Sequence, residues 1–262
     1  MAEEWLYRLN MWLIFLGSVG FFLVATETGF RLGRRAQSSV NQTAISEIST
    51  IQGAMLVLLA LLLGFTFSMA MTRFEARKQL VLEESNAIGT TFLRAQVLPE
   101  PPRKQVSTLL RRYVDVRLEF HEAGINEKRL REANDRTEEL HKQLWSRGAA
   151  LAEKDSRAVT TGLFLQSLNE VIDLHAKRLT ANENHVPETI LLLLYFVGIM
   201  SMGLIGYGCG LGGHRNFFVT MLASMIIAAV ILVIIDFDRP RRGLIKVSQQ
   251  RMVDLRDSLS KD

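Results

Sequence analysis

Between Gly53 and Thr72 the chain carries no charged residue, and this stretch, GAMLVLLALLLGFTFSMAMT, limits the possible fold more than any other feature. It has the length of apolar helix needed to cross a hydrocarbon core, about 20 residues. At Arg73 it gives way to RFEARKQLVLEESNAI, with no Gly or Pro before Gly89. Those are the residues that most often end helices. The spacing therefore predicts one rod from Gly53 to Arg94 that spans a bilayer and continues into water.

Three further runs have a similar character: Met11–Phe30, Thr189–Leu211 and Phe217–Ile235. Only the first contains a charge, Glu27. Four such runs in 262 residues are too many for the buried helices of a small soluble protein. The first does not read as a signal peptide, because MAEEWLYRLN places Glu3 and Glu4 where a basic region belongs. Trp5, Tyr7 and Trp12 fall where an interfacial aromatic belt would lie. The expected fold is an all-α integral membrane protein with four transmembrane helices and a cytosolic helical bundle. Residues 1–72 hold the first two spans, 73–187 the bundle, 188–236 the last two spans and 237–262 a cytosolic tail.

Lys and Arg set the orientation. Arg8, Arg73, Arg77, Lys78, Lys177, Arg178, Arg239, Arg241, Arg242 and Lys246 lie near the membrane on one side, against Arg31, Arg34, Arg35 and Arg215 on the other. Both termini and the bundle are thus expected in the cytoplasm. The net charge of +4 belongs to this pattern and does not indicate nucleic acid as a partner. Cys209, the single cysteine, excludes an intrachain disulfide and any CxxC site.

Along the chain, Glu27 and Arg31 stand four apart, on one helix face, as an interfacial ion pair. Ser38–Thr50 reads as a short amphipathic turn or a loop. After Arg73 the pattern is helical throughout. Val81, Ile88 and Phe92 form one stripe of the rod's continuation, and PEPP at Pro99–Pro102 breaks it. A helix from Val106 to Phe120 follows. Next comes a highly charged one, Glu127–Trp145, expected to be a solvated outer helix, and a fourth over Arg157–Leu179. Gly206 and Gly210 form a GxxxG pair, with Gly198, Ser201 and Gly203 nearby; in lipid, small residues let helices approach closely. Contact within the subunit and contact between subunits both remain open.

No catalytic constellation is present. His121, His141, His175, His185 and His214 have no metal-ligand spacing, and the first three are expected to be solvated. Phosphate loops, GxSxG and HExxH are all absent. The sequence thus points to a protein that is not an enzyme and holds neither metal nor cofactor. Its evident partners are the lipid bilayer and further copies of itself. Val57, Leu61 and Phe65 recur every four residues on the second span. Around a shared axis such a stripe would form an apolar constriction, which can gate by dewetting.

Several blocks, in order, carry a family resemblance: LLLGFTFSMAMTRFEAR, EESNAIGTTFLR, the LP before RRYVDVR, and DFDRP with its following Gly. The chain resembles a family of bacterial membrane proteins described as bestrophin-like, over roughly Gly53–Arg256. It is more distantly similar to the bestrophins, pentameric anion channels with four spans and cytosolic termini. The resemblance implies a homo-oligomeric ion channel, pentameric and with anions as candidate permeant inorganic ions, in the bacterial inner membrane. Its pore would be lined by the second span, with Val57, Leu61 and Phe65 as the constriction. Arg73 and Arg77 would stand at the inner exit, Glu84 and Asn86 in the vestibule wall, and Asp236, Asp238 and Pro240 at the tail junction. Only Phe65 keeps an aromatic ring among the three neck positions. Asp236 and Asp238 are flanked by Arg239, Arg241 and Arg242, so a calcium site is not implied. The alternative is a non-conducting membrane scaffold or sensor whose bundle binds a cytosolic protein.

Overall fold

The computed structural model describes residues 10–155, 157–239 and 243–260. Trp5, Tyr7 and Pro240 lie outside the described residues. Among the described residues there are eight α-helices and no strand: α1 (Met11–Ala36), α2 (Gln42–Ala95), α3 (Pro102–Glu122), α4 (Glu127–Lys154), α5 (Val159–Glu183), α6 (Glu188–Leu211), α7 (Phe217–Asp238) and α8 (Gln250–Leu259). Four helices are long and apolar enough to cross a membrane, and their apolar windows fall in α1, α2, α6 and α7. The protein is an all-α membrane protein.

The chain divides into two compact units, Met1–Arg73 with His185–Arg239, and Phe74–Asn184 with Pro240–Asp262. Helix α2 belongs to both. It starts at Gln42, earlier than the apolar pattern indicates, because Asn41 caps it by accepting from Ala44 N at 2.9 Å. The expected amphipathic turn over Ser38–Thr50 is thus mostly the first turns of α2. At the other end Pro99 follows soon after the helix stops, as the PEPP segment predicts.

In the first unit α1 lies along α6, and glycine makes the approach possible. A Cβ on Gly29 would collide with the Gly203 carbonyl, one on Gly206 with the Thr26 carbonyl, and one on Gly210 with the Phe30 carbonyl. The GxxxG pair therefore packs inside one subunit. Tyr195 on α6 meets Ser18 on α1, hydroxyl to hydroxyl at 2.6 Å. Gln52, about three turns into α2, donates to the Leu204 carbonyl at 2.6 Å.

In the second unit the core is a helical bundle. Val81, Ile88 and Phe92 of α2 are buried as their spacing predicts, and Ile88 and Phe92 share a core with Leu110, Tyr113 and Val114 of α3, Leu144 of α4 and Phe164, Leu168 and Val171 of α5. Helix α4 is longer than the sequence pattern suggests and is not a solvated outer helix. Ala133, Thr137, Leu140, His141, Leu144, Gly148 and Leu151 form a buried stripe along it. Thr137, which interrupts the apolar pattern, is accommodated by donating to the Ala133 carbonyl at 2.8 Å.

Candidate functional site

Helix α2 carries most of the candidate residues. In the first unit Leu59, Thr66 and Ala70 are buried, whereas Val57, Leu61 and Phe65 are 70%, 52% and 65% exposed. The α-helical period places these two sets on different sides. Gly64, next to Phe65, has open space where a Cβ would stand. Of the four spans, α2 is the least covered by its own chain: 17% of its most apolar window is buried, against 28% to 39% in the others.

In the second unit the exposed positions of α2 are Glu75, Ala76, Lys78, Gln79, Glu83, Asn86, Thr90 and Leu93, mostly polar where the membrane stretch is apolar. Glu75 pairs with Lys78 at 3.5 Å, and Gln79 donates to Glu83 at 3.1 Å. Asn86 is on this exposed face. Glu84 is not; it is fully buried in the bundle.

Arg73 and Arg77 serve backbone carbonyls. Arg73 donates from Nη1 to the His185 carbonyl at 2.8 Å. Arg77, only 3% exposed, donates from Nε to Ala181 O and from Nη2 to Asn184 O, each at 2.9 Å. It thus satisfies carbonyls at the end of α5, where the helix dipole favours a cation. Asp236 and Asp238 are buried at the end of α7. The Asp238 carboxylate accepts from Val186 N at 2.7 Å, and its carbonyl lies 3.0 Å from His185 Nδ1. These contacts tie the last turn of α7 to the residues that precede α6.

The densest polar site is one that reading the sequence did not assemble. Glu84 Oε1 accepts from Tyr113 OH at 2.8 Å and from Arg117 Nε at 2.9 Å, and Oε2 accepts from Arg178. Arg178 also donates to Gln249 at 3.2 Å. The His141 ring lies 5.1 Å from the Tyr113 ring, and His175 meets His141 edge to face at 5.2 Å. Both histidines are buried, contrary to the solvated state expected for them. Each member sits in phase with apolar neighbours: Glu84 between Val81 and Ile88, Arg117 after Tyr113 and Val114, His175 after Leu168 and Val171. A charged or imidazole group inside the apolar stripe of α2, α3, α4 and α5 alike was the available signal.

Electrostatics follow from that packing. Burial pushes the Glu84 carboxyl up, but the charges of Arg117 and Arg178 and hydrogen bonds from Arg178 and Tyr113 outweigh it and hold the pKa at about 2. Burial first, then the Glu84 charge, drives the Tyr113 hydroxyl well above its usual range. Burial and the neighbouring Arg117 charge bring His141 down to about 4 and His175 to about 3, so both are neutral at physiological pH. Among the described residues no group of His, Cys, Asp and Glu is arranged to hold a metal ion.

Comparison with known proteins places this architecture. Residues 17–252 match the model of the Bestrophin-like domain. No curated protein sequence matches the chain. Among solved structures, two point variants of a bacterial bestrophin homologue from Klebsiella pneumoniae superpose with TM-scores of 0.67 at 15% identity. The alignments cover 94% to 95% of this chain and 97% of theirs. A third structure of the Klebsiella pneumoniae homologue, phased on zinc, gives a TM-score of 0.66 at 16% identity over 96% of this chain and 98% of that one. At such identity the superposition speaks for the fold, and the domain match, over most of the chain, assigns the family. The protein is a member of the bestrophin-like family.

Proposed function

We propose that this chain is one subunit of a homo-oligomeric ion channel of the bacterial inner membrane, with both termini cytoplasmic and α2 of each copy lining a shared pore. The single observation that carries the reading is the uncovered apolar stripe Val57, Leu61 and Phe65 on the least covered span. Lipid alone would satisfy an apolar stripe, but α2 also continues past the membrane with Glu75, Gln79, Glu83, Asn86 and Thr90 outward. A helix apolar and then mostly polar along its outward surface, Leu93 being the apolar exception near its end, suits a dewettable constriction followed by a wet vestibule. Gly64 leaves room for a neighbouring helix to come close.

In this reading Val57, Leu61 and Phe65 form the constriction and Asn86 lies in the vestibule wall. Glu84, Arg73, Arg77, Asp236 and Asp238 fix the helices that carry it. The outward surface brings two carboxylates, Glu75 and Glu83, against one Lys78. Repeated around an axis, that surplus favours cations over anions.

The test is flux through liposomes holding the purified protein. Wild type is expected to conduct and Phe65→Ala to raise the flux. Under a salt gradient the reversal potential should lie on the cation side and move toward zero in Glu83→Gln. No conductance in either wild type or Phe65→Ala would favour the scaffold or sensor reading. A particle containing a single chain would refute the shared pore.

A further inference from the structure

Among the described residues, the buried charges around Glu84 do not balance. Glu84 supplies one negative charge, whereas Arg117 and Arg178 supply two positive ones, and all three side chains are buried. Arg117 and Arg178 then share a single carboxylate, which leaves one positive charge uncompensated in the interior. Burying an unpaired charge costs several kcal/mol.

The hydrogen-bond inventory shows a deficit at the same place. Arg117 gives Nε to Glu84, but Nη1 and Nη2 are buried without a protein acceptor. The Phe120 ring covers the guanidinium at 5.1 Å. Both ring nitrogens of His175 and Nε2 of His141 also lack protein partners. Arg117, His141 and His175 are 1%, 8% and 5% exposed, so bulk water does not serve them. A guanidinium only donates, and a neutral imidazole contributes one N–H. What is missing is therefore chiefly an acceptor, with one negative charge.

We propose that the cytosolic bundle binds one small monovalent anion of the halide class, held by the Nη groups of Arg117 and the imidazole N–H of His175, with His141 beside it. A water molecule would satisfy some of these donors and leave the surplus charge. A divalent oxyanion would overshoot the single charge that is free. The site stands apart from the pore reading: it is built from α3, α4 and α5 and needs no second copy.

Thermal unfolding of the full-length protein in detergent, at one sodium concentration with chloride, bromide or gluconate as the anion, tests this. Chloride and bromide are expected to raise Tm over gluconate, by about 2–5 °C for each tenfold rise above the Kd. In a crystal grown in bromide, an anomalous peak should lie within hydrogen-bond distance of the Arg117 Nη atoms. Arg117→Gln should remove the halide dependence. Should that variant not fold, His175→Leu, which leaves the Glu84 pairs intact, should shift the halide midpoint at least tenfold. Phe65→Ala should leave it unchanged, separating this site from any ion held in a pore. Equal Tm in the three salts, an ordered water with no anomalous signal, or a halide midpoint unmoved in His175→Leu would overturn the proposal.

Discussion

The two units of this protein solve the same problem, holding helices together, by opposite means. In the membrane unit the close contacts are backbone to backbone: Gly29, Gly206 and Gly210 let α1 and α6 approach until a methyl group would not fit. In the second unit the close contacts are charged, with Glu84 gripped by α3 and α5 through Tyr113, Arg117 and Arg178. Lipid tails are as apolar as leucine, so burial gives membrane helices no reason to associate and packing must do it. In water, leucine and phenylalanine supply association. A buried ionic cluster adds a demand for one particular arrangement, because every member must find its partner.

The contrast can be broken most sharply at Glu84. Glu84→Ala strips the counter-charge from two buried guanidinium groups and is expected to destabilise the second unit by about 3–5 kcal/mol. Early unfolding in a denaturant titration, or rapid trypsin cleavage within α3 to α5, would show it; a midpoint like wild type would mean the cluster is not holding the bundle. The matching experiment in the membrane unit is Gly206→Val, which forces α1 from α6 at a cost of about 1–3 kcal/mol. Gly17→Ala, where a Cβ meets nothing, is the control with an unchanged melting curve.

Acid should also separate the units. His141 and His175 have folded pKa values of about 4 and about 3, below the usual 6.5. Between the folded and unfolded values the unfolded chain binds more protons. Stability is therefore flat above about pH 6.5 and falls as the pH drops below it. At pH 5.5 the loss is about 1 kcal/mol for each histidine. Tryptic sensitivity of the bundle should rise over that range, and a His141→Phe, His175→Phe double variant should lose the dependence. The smallest effect is expected at the exposed group where Glu27 pairs with Arg31 at 2.8 Å and also with Arg215. Glu27→Gln should leave Tm unmoved in physiological salt, since exposed pairs are screened.

Much of the fold was legible because lipid imposes a one-dimensional rule. A span must be apolar for about 20 residues, and that shows in the order of residues alone. The uncharged run from Gly53, the stripe Val81, Ile88 and Phe92, and the stop at PEPP all followed from the period of the helix and its breakers. The 3.6-residue period also put Val57, Leu61 and Phe65 on one side. It could not say which side the rest of the chain leaves uncovered. The helical extension back to Gln42 was hidden, because polar residues are tolerated in an exposed helix and only the Asn41 cap marks its start.

What the sequence by itself determined is the class: four membrane-crossing helices, an aqueous helical bundle and a family signature spread over several blocks. Each of these depends on the character of neighbouring residues. Only the tertiary structure decided that GxxxG packs within the subunit, that His141 and His175 are buried, and that Glu84 belongs to a charged cluster. The first depends on α1 and α6, and the others on groups brought together from α2, α3, α4 and α5, in each case across many residues of chain, and no local pattern encodes which group meets which.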